Sequence, residues 1–190
     1  MESEIEKYKL AKKKVLILKY EGDHSSASNS LATHDPNRMN NYEAIKCKDL
    51  MNLILLKNNE YVFNGQLFEQ LENVDLKEID LIAIDEVQFM ENLLPFCNFM
   101  LALEKDVICT GLSGTFEKRP IGDILQLIPI ASKVKHLKAY CMWEIAHGKP
   151  CMKDAPFTRK IGGDKNKIIE IGSIESEEKI YVPTCEEHFQ

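Results

Sequence analysis

The sequence predicts an α/β protein built on a parallel sheet, and three observations carry that prediction. Residues 15–20, 81–86 and 106–112 are short apolar runs rich in Ile, Leu and Val, the pattern of strands covered on both faces. Helical patterns lie between these runs, so strand and helix alternate along the chain. The middle run, Leu81-Ile82-Ala83-Ile84, ends abruptly in Asp85-Glu86. Open α/β sheets hold their ligands at the carboxyl ends of such strands. An Asp there suits a Mg²⁺-associated role and a neighbouring acid can handle a nucleophile. The plainer reading of the same residues is a buried strand closed by two solvated acids.

Each element follows from its local pattern. Residues 2–14 carry Ile5, Tyr8, Leu10 and Ala11 at helical spacing, and Lys12-Lys13-Lys14 suits a helix C-terminus. Residues 21–41 are polar and full of turn residues, which predicts a loop. Residues 43–50 form a short strand or helix. Residues 51–78 read as helical, interrupted at Asn58-Asn59 and Asn64-Gly65. A helix over 91–103 covers the face of the 81–86 strand. The 106–112 run leads into Ser113-Gly114-Thr115-Phe116, a shaped loop at a strand end. A short helical stretch follows over 123–130, and residues 134–140 return to the sheet. After Tyr140 the texture changes to turn-rich pieces with Cys and His. The expected organisation is a core over 1–138 and an appendage over 139–190, too short to build its own core without a staple.

Composition bounds the function. The chain has 190 residues, 44% hydrophobic and 28% charged, with net charge −6. That acidity argues against a nucleic-acid surface, which needs a basic field. No apolar stretch approaches membrane-span length and no secretory signal opens the chain. The expected compartment is cytoplasmic, where a disulfide framework is not expected among the six cysteines. Cys47, Cys97 and Cys109 sit among apolar neighbours and read as small core residues.

Cys141, Cys151, Cys185 and His188 offer three thiolates and an imidazole. Structural zinc takes four such ligands in a tetrahedron, commonly as two close pairs. Cys185-Glu186-Glu187-His188 is one close pair. The other is wide, with nine residues between Cys141 and Cys151. His147 lies between them and competes with Cys141 as a ligand. Unligated cysteines in a small appendage are the alternative, and the clustering favours zinc.

Read together, these pieces resemble the type II thymidine kinases, the family of the cytosolic and poxviral enzymes. Residues 14–20 with Asp23 resemble that family's second strand and its acidic loop, and Thr33-His34-Asp35 follows at the right distance. Ile84-Asp85-Glu86-Val87-Gln88-Phe89 resembles its Asp-Glu-x-Gln-Phe segment. Residues 112–116, then Arg119-Pro120-Ile121-Gly122-Asp123, resemble its Asp-Gly-Thr-Phe loop and the helix after it. Cys141-Met142, Cys151-Met152, residues 157–162, Ile171-Gly172, Tyr181 and Cys185 to His188 resemble its zinc domain.

The resemblance implies a P-loop NTPase (RecA-like) core with a small C-terminal zinc-binding domain over 139–190 that closes on the nucleoside. It implies transfer of the γ-phosphate of ATP to the 5′-hydroxyl of thymidine, for nucleotide salvage and DNA precursor synthesis. Glu86 would be the general base, and Asp85 and Asp23 the acids near Mg²⁺ and phosphate. Phe89, Gln88, Phe116, Thr158, Ile171, Gly172 and Tyr181 would bind the nucleoside. Cys141, Cys151, Cys185 and His188 would hold structural Zn²⁺. A homotetramer inhibited by thymidine triphosphate is implied, with neither nucleic acid nor membrane as partner.

The sequence departs from the family's pattern in several places. It contains no GxxxxGK[ST] motif, so it carries no backbone cradle of that kind for the β- and γ-phosphates. The expectation is an N-terminally truncated form of the core. A non-catalytic relative that binds nucleoside or a partner, and a phosphate loop from another chain, are the alternatives. Ser113 stands where the family has Asp, and Val87 where it has Gly. The Cys141/Cys151 pair carries an insertion relative to the family's CxxC. An insertion around residues 56–74 has no counterpart and reads as a surface excursion.

Overall fold

The central strand has no solvent side. In this computed structural model, β5 (Leu81–Ile84) is fully buried at all four residues. It lies in a four-stranded parallel sheet with β1 (Val15–Tyr20), β2 (Ile45–Cys47) and β6 (Asp106–Cys109), in the order β2-β1-β5-β6. Register is set by Val15↔Leu81 to Leu18↔Ile84 on one side of β5, and Leu81↔Asp106 to Ile84↔Cys109 on the other. The structure describes residues 1–22, 43–146, 148–164, 167 and 180–189. Asp23, the 33–35 segment, His147, Ile171 and Gly172 lie outside them, as does nearly all of the loop expected over 21–41.

Two layers of packing explain the unbroken apolar run. Ile82 and Ile84 point into the larger core with Leu16, Leu18, Leu93, Phe96 and Met100. Leu81 and Ala83 point the other way, onto Ile17, Ala44 and Ile5. Side chains alternate along a strand, so both faces need apolar residues. Ile5 belongs to α1 (Glu2–Leu10), which is shorter than the helix expected over 2–14. The larger core is covered by α2 (Leu93–Ala102), whose buried residues Leu93, Phe96, Cys97 and Met100 repeat at helical spacing. Pro95 sits in its first turn, where no amide partner is lost.

The helix expected over 51–78 does not form. Residues 50–53 make one 3₁₀ turn, capped by Asp49, whose carboxylate accepts from Met51 N–H at 2.9 Å. A hairpin follows, β3 (Ile54–Lys57) against β4 (Glu60–Phe63), with Lys57 opposite Glu60. Its turn is Asn58-Asn59, both left-handed at φ 51° and 65°. Asn tolerates that conformation and matches the twist of a two-residue hairpin. The asparagines that read as a helix interruption are therefore the hairpin signal itself. Short 3₁₀ turns at Glu69–Leu71 and Leu76–Glu78 complete the segment. Within the excursion expected around 56–74, Leu56 and Tyr61 are exposed, but Phe63 and Leu71 are buried in the main core.

The chain divides into two compact units, residues 1–112 with 122–127, and 113–121 with 128–190. The first holds the parallel sheet and part of a 3₁₀ stretch, Ile124–Ile130, where a short helix was expected. In the second, residues 134–138 form no strand and do not return to the sheet. Instead β7 (Ala139–Tyr140) pairs with β10 (Asp154–Ala155). Two antiparallel pairs join it: β8 (Glu144–Ala146) with β9 (Lys149–Pro150), and β11 (Phe157–Lys160) with β12 (Tyr181–Thr184). The apolar kernel of this unit is Cys141, Ala155 and Cys185, with Trp143 and Cys151 against it. Among the described residues no helix is long and apolar enough to cross a membrane.

The hairpin turn at Asn58-Asn59 can be tested directly. Asn59→Val forces a β-branched residue into the left-handed region and is expected to destabilise the protein by about 1–2 kcal/mol. Asn59→Gly is expected to be neutral or stabilising. Urea unfolding midpoints of the two variants check this, and a helix over 51–78 would instead rank Gly as the worse.

Candidate functional site

In the first unit the site is built where β5 runs out of sheet. Asp85 N–H still donates to Leu18 O at 2.9 Å, and Val87 N–H donates to Thr110 O at 3.1 Å. Between them the backbone turns sharply. Glu86 adopts φ 53°, ψ 39°, the left-handed region. A non-glycine residue held there costs of order 1–3 kcal/mol and persists only where its surroundings fix it. The turn lifts Glu86 and Asp85 out of the core, and both are half-buried.

Each acid has a neighbour that orients it. The Thr110 hydroxyl donates to Asp85 Oδ1 at 2.6 Å. The Gln88 amide nitrogen donates to Glu86 Oε2. The other end of that amide, Gln88 Oε1, accepts from Leu112 N–H at 3.0 Å. Gln88 is only 5% exposed, and both ends of its amide are engaged inside the unit. Two glycines make room for it. A Cβ on Gly111 would come within 2.3 Å of Gln88 Oε1, and one on Gly122 within 2.4 Å of Gln88 O. Gly122 also has φ +58°. Phe89 packs on Tyr20 with ring centroids 5.2 Å apart. The arrangement offers two fixed carboxylates at the carboxyl end of a central parallel strand, suited to orienting a hydroxyl and a cation.

In the second unit the four sequence-predicted ligands come together. Cys141 Sγ lies 3.6 Å and Cys185 Sγ 3.4 Å from His188 Nδ1. The ligand atoms of Cys141, Cys151, Cys185 and His188 all lie within 4.8 Å of one another. Four ligands at zinc bond lengths in a tetrahedron sit about 3.5–3.8 Å apart, so the donor set and spacing fit that metal. His147 is not needed to complete the set.

The wide pair is closed by a hairpin. β8 and β9 pair antiparallel between the two cysteines, with Glu144 opposite Pro150, Ala146 opposite Lys149 and Gly148 at φ +71°. The flanking residues then pair directly. Cys141 N–H donates to Lys153 O at 2.7 Å, Cys151 N–H to Trp143 O at 3.0 Å, and Met142 N–H to Pro183 O at 3.0 Å. Cys185 opens a 3₁₀ turn over Glu186–His188 that returns the imidazole to its thiol. Burial alone would raise the Cys141 thiol, but backbone N–H groups of Cys185 and Trp143 and the His188 ring outweigh it, lowering it to about 6. For Cys151 the Lys153 N–H pulls down, while burial and the Cys141 and Cys185 sulfurs win and push it up. Arg159 braces the cluster, donating to His188 O at 3.1 Å while its guanidinium lies 4.2 Å from the Trp143 ring centre.

The same unit carries three of the expected nucleoside contacts. Phe116 and Tyr181 have ring centroids 6.3 Å apart. Lys160 Nζ lies 5.6 Å from the first and 5.8 Å from the second. Thr158 is on β11, opposite Pro183. Sequence reasoning misses Thr110, Gly111 and Gly122, which act through neighbours and have no motif of their own. It also misses Arg159 and Lys160, although strand alternation alone puts Lys160 on the Thr158 side.

A parallel α/β core with strand-end carboxylates, joined in one chain to a Cys₃His cluster that could hold a metal, fits the class of nucleotide-handling proteins with a small metal-binding appendage. Residues 55–189 match the family model described as TK, thymidine kinase. The chain is similar to the thymidine kinase of Amsacta moorei entomopoxvirus, at 34% identity over 95% of this chain and 84% of the relative. It is similar to that of Variola virus at 31%, over 90% and 79%. The human cytosolic thymidine kinase is 30% identical over 85% of this chain and 56% of its own length. The chain belongs to the thymidine kinase family.

Metal dependence can be tested on the cluster. Cys185→Ser and His188→Ala are expected to abolish stoichiometric zinc in purified protein, and His147→Ala to leave it unchanged, measured by elemental analysis. Protons compete for thiolate ligands. The two thiols are shifted in opposite directions, Cys141 down and Cys151 up, so zinc retention against a fixed chelator is expected to weaken progressively as pH falls from alkaline to acid, with Cys151 the first thiolate that protons contest.

Proposed function

We propose that the protein transfers the γ-phosphate of ATP to the 5′-hydroxyl of thymidine, giving ADP and thymidine monophosphate. The observation that carries this reading is Glu86, held in a strained backbone turn and fixed by Gln88 at the carboxyl end of the central strand. Phosphoryl transfer leaves the protein little covalent chemistry, so positioning and electrostatics do most of the catalysis. In this reading Glu86 accepts a hydrogen bond from the 5′-hydroxyl and takes its proton as the bond to phosphorus forms. The Gln88 donor keeps the acceptor oxygen aimed, and Thr110 keeps Asp85 aimed beside it.

The core is then of the P-loop NTPase (RecA-like) type. Asp85 and Asp23 would hold Mg²⁺, which neutralises charge on the phosphates when bound. Phe89 in the first unit, and Phe116, Thr158, Tyr181, Ile171 and Gly172 in the second, take the roles of nucleoside contacts. The proposed division is a kinase core over 1–138 and a zinc-binding domain over 139–190, with zinc structural because its four protein ligands leave no open position. A cytoplasmic homotetramer inhibited by thymidine triphosphate extends the same reading.

One observation favours a second reading. The 190 residues contain no GxxxxGK[ST], so the phosphate cradle is the part of the reaction they do not supply by that motif. A non-catalytic protein that binds nucleoside would keep the thymine contacts without ATP turnover.

Two measurements separate these readings. Calorimetry with thymidine is expected to give micromolar-range binding, weakened by at least tenfold in Phe116→Ala. Phosphate transfer from labelled ATP is expected to fall by about 10²–10⁴ in Glu86→Gln, with thymidine affinity retained. Binding without transfer in the wild-type protein would select the non-catalytic reading. Transfer that survives Glu86→Gln unchanged would remove Glu86 as the base.

A further inference from the structure

We propose that Lys118 is a positioning residue that couples the metal cluster to the Phe116 loop. The coupling stands on the geometry of the second unit. Only its consequence for thymidine rests on the function proposed above.

The loop is a closed turn. Thr115 N–H donates to Arg119 O at 2.8 Å, and Lys118 N–H donates to Thr115 O at 3.0 Å. Gly114 and Pro120 form a bridge across its base. The Thr115 hydroxyl oxygen accepts from Glu117 N–H at 3.2 Å and Arg119 N–H at 3.4 Å. Lys118 itself is left-handed, at φ 59°. These bonds fix the loop's shape from within. Side chains attach it to the rest of the unit, Phe116 through Tyr181 and Lys160 and Lys118 through two further rings.

Lys118 supplies the attachment that reaches the cluster. Its ammonium lies 4.0 Å from the ring centre of Phe157 and 4.0 Å from that of Phe189. The two rings are 5.3 Å apart, so one cation is shared by two aromatic faces. The ring quadrupole attracts the charge, while the lysine stem packs as hydrocarbon. Phe157 is on β11. Phe189 directly follows the ligand His188, at the end of the turn that begins at Cys185.

His188 and Cys185 would hold a metal from the two ends of that turn and so fix it, together with the His188 carbonyl that Arg159 grips at 3.1 Å. Phe189 is the next residue, so its ring is fixed too. Lys118 reads the position of that ring. Two residues before Lys118, Phe116 lies beside Tyr181. The route of coupling runs from metal to His188, Phe189, Lys118 and Phe116. Without metal the Phe189 ring loses its anchor and the cation loses half of its seat.

Hydrogen exchange of the peptide spanning 113–121 tests this on the intact chain. In zinc-loaded protein, Lys118→Met is expected to speed exchange of these amides roughly five-fold, the scale of a single cation–π interaction, with zinc content unchanged. Lys118→Arg restores protection. Chelation of the wild-type protein speeds the same amides, and chelation of Lys118→Met adds little further. Wild-type exchange rates in Lys118→Met would overturn the proposal. So would chelation that accelerates Lys118→Met as strongly as the wild type, because the metal would then reach the loop by another route. Calorimetric thymidine affinity read on the same variants is expected to fall with protection. Exchange that responds while affinity does not would leave the coupling intact and remove Phe116 as a nucleoside contact.

Discussion

A parallel strand packed on both faces has nowhere to put a charge except beyond its last residue. Leu81, Ile82, Ala83 and Ile84 meet apolar side chains above and below the sheet. Burying an unpaired carboxylate among them would cost several kcal/mol. The two acids therefore stand at the strand's exit, and the backbone has to turn there to bring them out of the core. The left-handed Glu86 is the physical form of that turn. Gln88 then holds it, bridging from the Glu86 carboxylate to the amide of Leu112, where the neighbouring strand also leaves the sheet. Strain at one residue is offset by a buried amide satisfied at both ends.

The second unit solves a different problem. Its strands are two to four residues long, and its buried kernel is largely cysteine. Pieces this small do not bury enough apolar surface to offset the entropy of ordering them. Three separate backbone stretches converge on the Cys141, Cys151, Cys185 and His188 cluster, and a metal there would tie all three. β11 then divides its labour by alternation. Phe157 and Arg159 brace the ligand turn, while Lys160, next to Thr158, lies over the Phe116 and Tyr181 rings.

Much of this is legible in the sequence, for physical reasons that also explain the failures. Strands with two buried faces leave unbroken apolar runs, so β1, β5 and β6 can be read directly. The donor set is equally legible, because three thiols and an imidazole are the residue types that structural zinc takes. The 51–78 segment reads wrongly as helix when its apolar residues are weighed without asking what two adjacent asparagines can do. Asn58 and Asn59 are poor in a helix and apt in a hairpin turn. Residues 134–140 carry apolar side chains without a partner strand in the sheet, and pairing is a tertiary fact that pattern does not reveal. Thr110, Gln88 and Lys118 act through other residues. A positioning role is a relation in space, and single residue types do not announce it.

The hairpin between Cys141 and Cys151 has a wider consequence. In the family's CxxC the two sulfurs are neighbours because almost no chain separates them. Here they are neighbours because an intervening excursion returns to its starting point. Closing a longer loop costs only slowly more as it grows, so what a metal there would constrain is the distance between sulfurs, not the number of residues between them. A search that defines the site by spacing would pass over this chain. By the same logic, the stretch between the two cysteines is free to differ in length and sequence wherever the backbone pairing beside Cys141 and Cys151 is kept.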